Sequence, residues 1–415
     1  MMAVTPETSE RLIAPVPRIT IQAFCETAEA AAAIEAAGTD RRMQKAHLKI
    51  QMGGAAAAVE AYRNAPTPNV IIIETQGPRS RPLEHLDSLA EVCDAGTRVL
   101  VIGHVNDVLL YRQFLQRGVS DYLMVPVEPL TLIASISDLF TAPGVKPVGR
   151  TVAVYGVRGG IGASTLAHNL AWTIARDQKL QTVIADLDIA FGTASLNFNQ
   201  DPPQGIAEAV FAPERLDSAL VERLLSKCSD NLSLLSAPAS LDRTTDLSES
   251  AFDAVIEHLR AAVPCIVLDV PHQWSAWTRR VLTGADELIV VAGPDLTCLR
   301  NTKNLLGMLQ NGRPNDGAPR IVLNGTGLPK RPEIGTAEFA KALEVPPAAV
   351  IPFDPGLFGT AANNGQMIAE VQPNAKATEI VAELAAAVLG RPEARRGRAN
   401  LFEPLLAKLG RRKAS

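Results

Sequence analysis

The stretch 151-TVAVYGVRGGIGAST-165 decides how the chain is to be read, because an apolar strand pattern runs through a glycine loop straight into a helical pattern, STLAHNLAWTIARD. Strand, glycine loop and helix in that order make a phosphate cradle: glycines let backbone N–H groups approach an anion, and the new helix adds the positive end of its dipole. Gly159, Gly160 and Gly162 supply the cradle, with Ile161 between them. Ser164 stands where the hydroxyl of a G-K-[ST] loop ligates magnesium, and Thr165 follows as a second hydroxyl. The lysine of that pattern is replaced by Ala163. A glycine turn that merely joins strand to helix is the bland alternative; the strand context and paired hydroxyls weigh against it.

Outward from this loop, the chain divides into two α/β series. Residues 18–139 alternate short apolar strands (RITIQAF, HLKIQM, NVIIIET, RVLVIG, DYLMVP) with Ala-rich or amphipathic helices, the third of them expected over LDSLAEVCDAG, residues 86–96. Five such units predict a parallel sheet covered on both faces. Residues 140–150, Pro- and Gly-containing without periodicity, are the expected linker. Residues 151–390 then repeat the alternation through QTVIADLD, NLSLLSAP, CIVLDVP, ELIVVAGP, RIVLNGTG and AVIPFDP, predicting a second, larger doubly wound parallel sheet.

At 415 residues the chain is long enough for two independent cores. Its formal net charge of −4 divides into +6 on residues 391–415 and −10 on the rest. An acidic body argues against a nucleic-acid-binding face. The five cysteines show neither C-x-x-C spacing nor histidine partners, so no disulfide framework or zinc site is expected and a reducing cytoplasm fits. No basic-then-apolar leader opens the sequence and no stretch reaches the roughly 18 apolar residues of a membrane span, so membrane contact is expected to be peripheral.

The loop resembles the deviant Walker A motif, KGGxGKT, of the MinD/ParA ATPases (the SIMIBI class of P-loop proteins), with Arg158 at the position of the signature lysine and Ala163 at that of the ordinary one. The resemblance implies ATP and Mg2+ as cofactors and an ATP-sandwiched homodimer in which Arg158 contacts phosphate in trans. Arg158 keeps a full charge and gains a planar fork. Ala163 removes the charge on which phosphoryl transfer leans, so weak ATPase activity at best is expected. By the same resemblance, Asp188 of the D-x-D pair positions water, Asp186 faces magnesium, and Asp269 at the end of CIVLDVP is the Walker B carboxylate. Asn324, Pro352 and Asp354 would flank the base. For the D-x-D pair alone, two carboxylates at a strand end are an ordinary arrangement; their spacing from the glycine loop favours the magnesium reading.

The first series resembles a response-regulator receiver domain stripped of its chemistry. It has 24-FCETAE-29 after the first strand, Glu74 in place of the phosphoacceptor aspartate, Gly103-His104 after the fourth strand and Val125 in place of the lysine before Pro126. A degenerate receiver fused to a MinD-like ATPase resembles the TadZ/CpaE family. That resemblance implies a localisation and assembly factor for a tight-adherence (Flp, type IVc) pilus secretion system, peripheral at the inner membrane and often polar. A ParA-type partition ATPase binding DNA nonspecifically is the alternative. In the tail, Leu401, Phe402, Leu405, Leu406 and Leu409 recur at helical spacing before Arg411, Arg412 and Lys413. Residues 399–413 fit either an anionic membrane surface or a protein partner.

Overall fold

The computed structural model describes residues 12–76, 80–94, 96–141, 148–238, 241 and 246–390. The basic tail therefore lies outside the described residues. Five parallel strands form the first sheet: β1 (Thr20–Cys25), β2 (His47–Met52), β3 (Val70–Thr75), β4 (Arg98–Gly103) and β5 (Asp121–Met124), in the order β2-β1-β3-β4-β5. The run VIIIET forms the central strand because all six of its residues are buried. Period 2 then divides them. Val70 and Ile72 join Ile21, Ala23, Leu100 and Ile102 on one face, while Ile71 and Ile73 pack with Phe24, Val101 and Phe114 on the other. Each such aliphatic side chain contributes roughly 1.5–3 kcal/mol by leaving water.

The second sheet holds β6 (Arg150–Gly156), β7 (Thr182–Asp186), β8 (Ser226–Lys227), β9 (Leu232–Leu235), β10 (Cys265–Val270), β11 (Glu287–Ala292), β12 (Arg320–Thr326) and β13 (Ala349–Pro352). Their order is β13-β12-β11-β6-β10-β7-β9-β8. β6 lies in the interior of the sheet, hydrogen-bonded to β10 and β11. Val152 and Val154 face Leu166, Leu170 and Ile174 of the following helix, Ala163–Asp177, while Ala153 and Tyr155 enter the opposite core. The loop after β6 thus leaves the carboxyl edge where the chain order reverses, the place where open α/β sheets bind ligands.

One expectation needs correction. The third helix of the first unit spans Ser80–Ala90 rather than 86–96. Residues beyond Ala90 turn because the Asp94 carboxylate is drawn to the backbone N–H and hydroxyl of Thr67, and Gly96 takes φ +109°. The second sheet is parallel as expected, with one addition at its edge, where the two-residue β8 pairs antiparallel with β9. Among the described residues no helix is long and apolar enough to cross a membrane.

Candidate functional site

Backbone geometry builds the loop first. Gly160 and Gly162 have φ +69° and +87°, a region closed to most side chains, and a Cβ on Gly162 would lie 2.5 Å from Asn324 Nδ2. Asn324 Nδ2 donates to the Ile161 carbonyl at 2.8 Å, so this residue braces the loop itself. The base of the loop is held by two further donors, Asn301 Nδ2 to the Val157 carbonyl at 2.9 Å and the main-chain N–H of Val157 to Val291. His272 Nδ1 lies 2.8 Å from the Gly156 carbonyl. Helix Ala163–Asp177 starts on Gly162 without a side-chain cap, leaving its first N–H groups aimed into the loop for an anion. Gly159 and Gly160 are exposed, and Ala163, Ser164 and Thr165 are half-buried.

Neither expected cation stands free over this cradle. Position 163 has only a methyl group, and Arg158 Nη1 is paired at 2.9 Å with Asp295 Oδ2. Asp295 is itself fixed as the N-cap of helix Leu296–Gly312, accepting from Cys298 N. Burial alone would raise the Asp295 carboxyl; the Cys298 N–H and the Arg158 charge more than offset this and hold it below its ordinary value.

Two acidic residues meet at the ends of neighbouring strands. Asp186 and Asp269 are register partners at the ends of β7 and β10. Asp186 is buried, accepting from Asp188 N at 3.0 Å and Ala194 N at 3.1 Å. Burial and the neighbouring Asp269 carboxylate push it up to about 7. Asp269 Oδ2 lies 3.1 Å from His168 Nε2, and Asp269 Oδ1 is buried without a partner. Two carboxylates repelling each other, one with an orphaned oxygen, fit a divalent cation. Among the described residues no group of three or more His, Cys, Asp and Glu side chains forms a metal cage. A magnesium ion here would therefore complete its shell with phosphate oxygens and water.

Asp188 turns back on its own segment, its Oδ1 accepting from Phe191 N at 3.0 Å. Asp354 caps helix Pro355–Asn364 through Leu357 N at 3.0 Å, and Pro352 ends β13. The sequence reading missed His168, Asn301 and the pairing of Asp295 with Arg158. His168 lies four residues after Ser164 on the same helix, so helical spacing puts it on the same face as the Ser164 hydroxyl. Around the loop, Phe191, Leu196, Trp274, Leu296 and Phe353 are exposed apolar side chains, all in segments that follow strands at the carboxyl edge.

In the first unit, the position of the phosphoacceptor is closed. Glu74 is fully buried, with Oε2 accepting from Glu26 N at 2.7 Å and Thr27 N at 2.8 Å, and Oε1 engaging Thr27 Oγ1 at 2.7 Å and His104 Nε2 at 2.9 Å. Burial would raise its carboxyl, yet the bonds from Thr27, His104 and Glu26 hold it below its ordinary value. The carboxylate behaves as a fixed internal anion.

A glycine loop feeding a helix from the interior of a mostly parallel sheet, with strand-end carboxylates beside it, defines a P-loop nucleotide-binding protein of the MinD/ParA class. Residues 149–314 match the family model described as AAA domain. The septum site-determining protein MinD of Synechocystis is 28% identical over 219 residues, covering 50% of this chain and 77% of that protein. The cell division ATPase MinD of Pyrococcus furiosus shares the fold, with a TM-score of 0.52 at 23% identity over 58% of this chain and 98% of its own. The pilus assembly protein CpaE of Caulobacter crescentus is 47% identical over 32% of this chain and the whole of the solved chain, at a TM-score of 0.31. On that sequence identity, the chain belongs to the CpaE family.

Proposed function

We propose that the protein is an ATP-binding localisation and assembly factor for a tight-adherence pilus secretion system, acting as a nucleotide-favoured dimer with weak or absent hydrolysis. The observation that carries this reading is the pairing of an intact backbone cradle with a missing lysine at Ala163. Backbone N–H groups from Gly159 to Thr165 would hold the phosphates, and Ser164, Asp186 and Asp269 would hold magnesium. That ion, when bound, neutralises phosphate charge. Asn324, Pro352 and Asp354 would line the base, and Asp188 would orient water for any residual hydrolysis. Arg158 would exchange Asp295 for a phosphate, in its own or the partner copy.

Binding without turnover is enough to bias assembly, since a ligand that prefers the dimer shifts the population by that preference alone. The exposed Phe191, Leu196, Trp274, Leu296 and Phe353 around the loop support a dimer face, because apolar side chains gathered on one edge gain by being covered. Polar placement and contact with pilus machinery or an inner-membrane surface belong to the same proposal.

The test is the solution mass of the protein with and without Mg-ATP, together with ATP affinity and phosphate release, for wild type and Arg158→Ala. A dimer that forms with ATP, weakens in the variant and releases negligible phosphate is expected. Absence of ATP binding would overturn the nucleotide reading. Brisk hydrolysis, with tight and salt-sensitive retention of random duplex DNA, would favour a partition-type cycle instead.

A further inference from the structure

We infer that a buried guanidinium–carboxylate cluster clamps the two units into one rigid body, so that the first unit is docked on the second rather than merely tethered by the connecting chain. The buried part of the contact is made by a 3-10 turn, Arg41–Met43, entered through Asp40. Arg41 Nε and Nη2 reach the two oxygens of Asp316 at 2.8 and 3.3 Å. Arg41 Nη1 donates to the Gly284 carbonyl at 2.8 Å and lies 3.6 Å from Asp286. Arg42 bridges Asp40, at 3.0 Å, and Asp316. Asn315 Nδ2 donates back to Asp40 at 3.0 Å, and Arg313 Nε completes Asp316 at 3.2 Å. The charged side chains of this cluster are at most 9% exposed.

Charges this deep are tolerated only when paired, and a fork-to-carboxylate bond fixes orientation as well as distance. The cluster therefore selects one docked arrangement. It also does not stop at the surface of the second unit. Asp286 Oδ2 accepts from Thr151 N and Oγ1, both at 2.9 Å, and from Arg260 Nη1 at 2.6 Å. Thr151 belongs to β6, whose other end carries the glycine loop. The first unit is thus anchored to the base of the nucleotide strand, on the edge opposite the loop, which leaves the loop edge uncovered. The exposed pair Lys45 and Glu257 adds little to this, since surface ion pairs are screened.

Small-angle X-ray scattering of the full chain, and the rate of proteinase K cleavage between residues 140 and 150, test the clamp. Wild type is expected to scatter as the docked arrangement and to be cut at least tenfold more slowly than the double variant Arg41→Ala/Arg42→Ala, whose radius of gyration should rise. A wild-type curve that requires separated units would overturn the inference. So would a folded double variant as compact and as slowly cut as wild type. If that variant fails to fold by circular dichroism, Asp316→Asn tests the same contact from the other side, and the wild-type curve decides on its own.

Discussion

Alanine at 163 subtracts one charge from a site that keeps its backbone donors, so the effect of restoring it can be isolated. Ala163→Lys should raise phosphate release by about 10²–10³-fold, the size expected when one electrostatic contact to developing charge is regained. Unchanged turnover would mean that the lost lysine is not what limits hydrolysis. Glu74 gives a residue-scale prediction of a different kind. Its carboxyl is depressed in the folded protein, so its contribution is present above the ordinary glutamate value and is lost as pH falls through the lower folded value. Glu74→Gln should therefore destabilise the first unit by about 1–3 kcal/mol at pH 7, and the gap should close in acid; denaturant melts at both pH values measure it. Acetyl phosphate should add no mass at this position, because both oxygens are already engaged.

The helix start at Gly162 shows what an element contributes that no single side chain can. A methyl group there meets both the positive φ and the Asn324 amide, so Gly162→Ala should distort the loop and weaken nucleotide binding at least tenfold in calorimetry, while the β6 core stays folded. Elements of this kind were legible in the sequence. VIIIET and TVAVYGV announce buried strands by their apolar runs, and the glycines with Ser164 announce the loop. The Ser80–Ala90 helix was misplaced because its end is set by a tertiary bond from Thr67 to Asp94, which periodicity does not encode. The Arg158–Asp295 pair escaped notice for the same reason: its partners are 137 residues apart. His168 escaped because a lone histidine on an apolar helix face signals nothing until Asp269 is placed beside it.

At the scale of the whole molecule, the contact between units should be sensitive to acid. Burial would raise the Asp316 carboxyl, but the hydrogen bond and charge of Arg41, with Arg313 and Arg42, hold it far below its ordinary value; Asp286 is likewise lowered, Arg260 and Arg41 outweighing its burial. Depressed carboxyls stabilise above the usual carboxylate range and lose that contribution as pH falls below it. The radius of gyration should accordingly stay flat from pH 8 to about 4 and rise only in stronger acid, well below the ordinary aspartate range. Units that stay docked and folded in acid strong enough to protonate Asp316 and Asp286 would assign the docking energy to something other than these pairs.

The anchoring of Arg41 and Arg42 on Asp316 has a consequence for how such a molecule signals. A protein with a hinge reports its ligand by changing shape. One locked at its waist has no second posture to adopt there, so under the proposed function nucleotide would be announced by arithmetic, one copy or two, and a pairing through the open loop edge would carry both first units outward at a spacing set once by the fold.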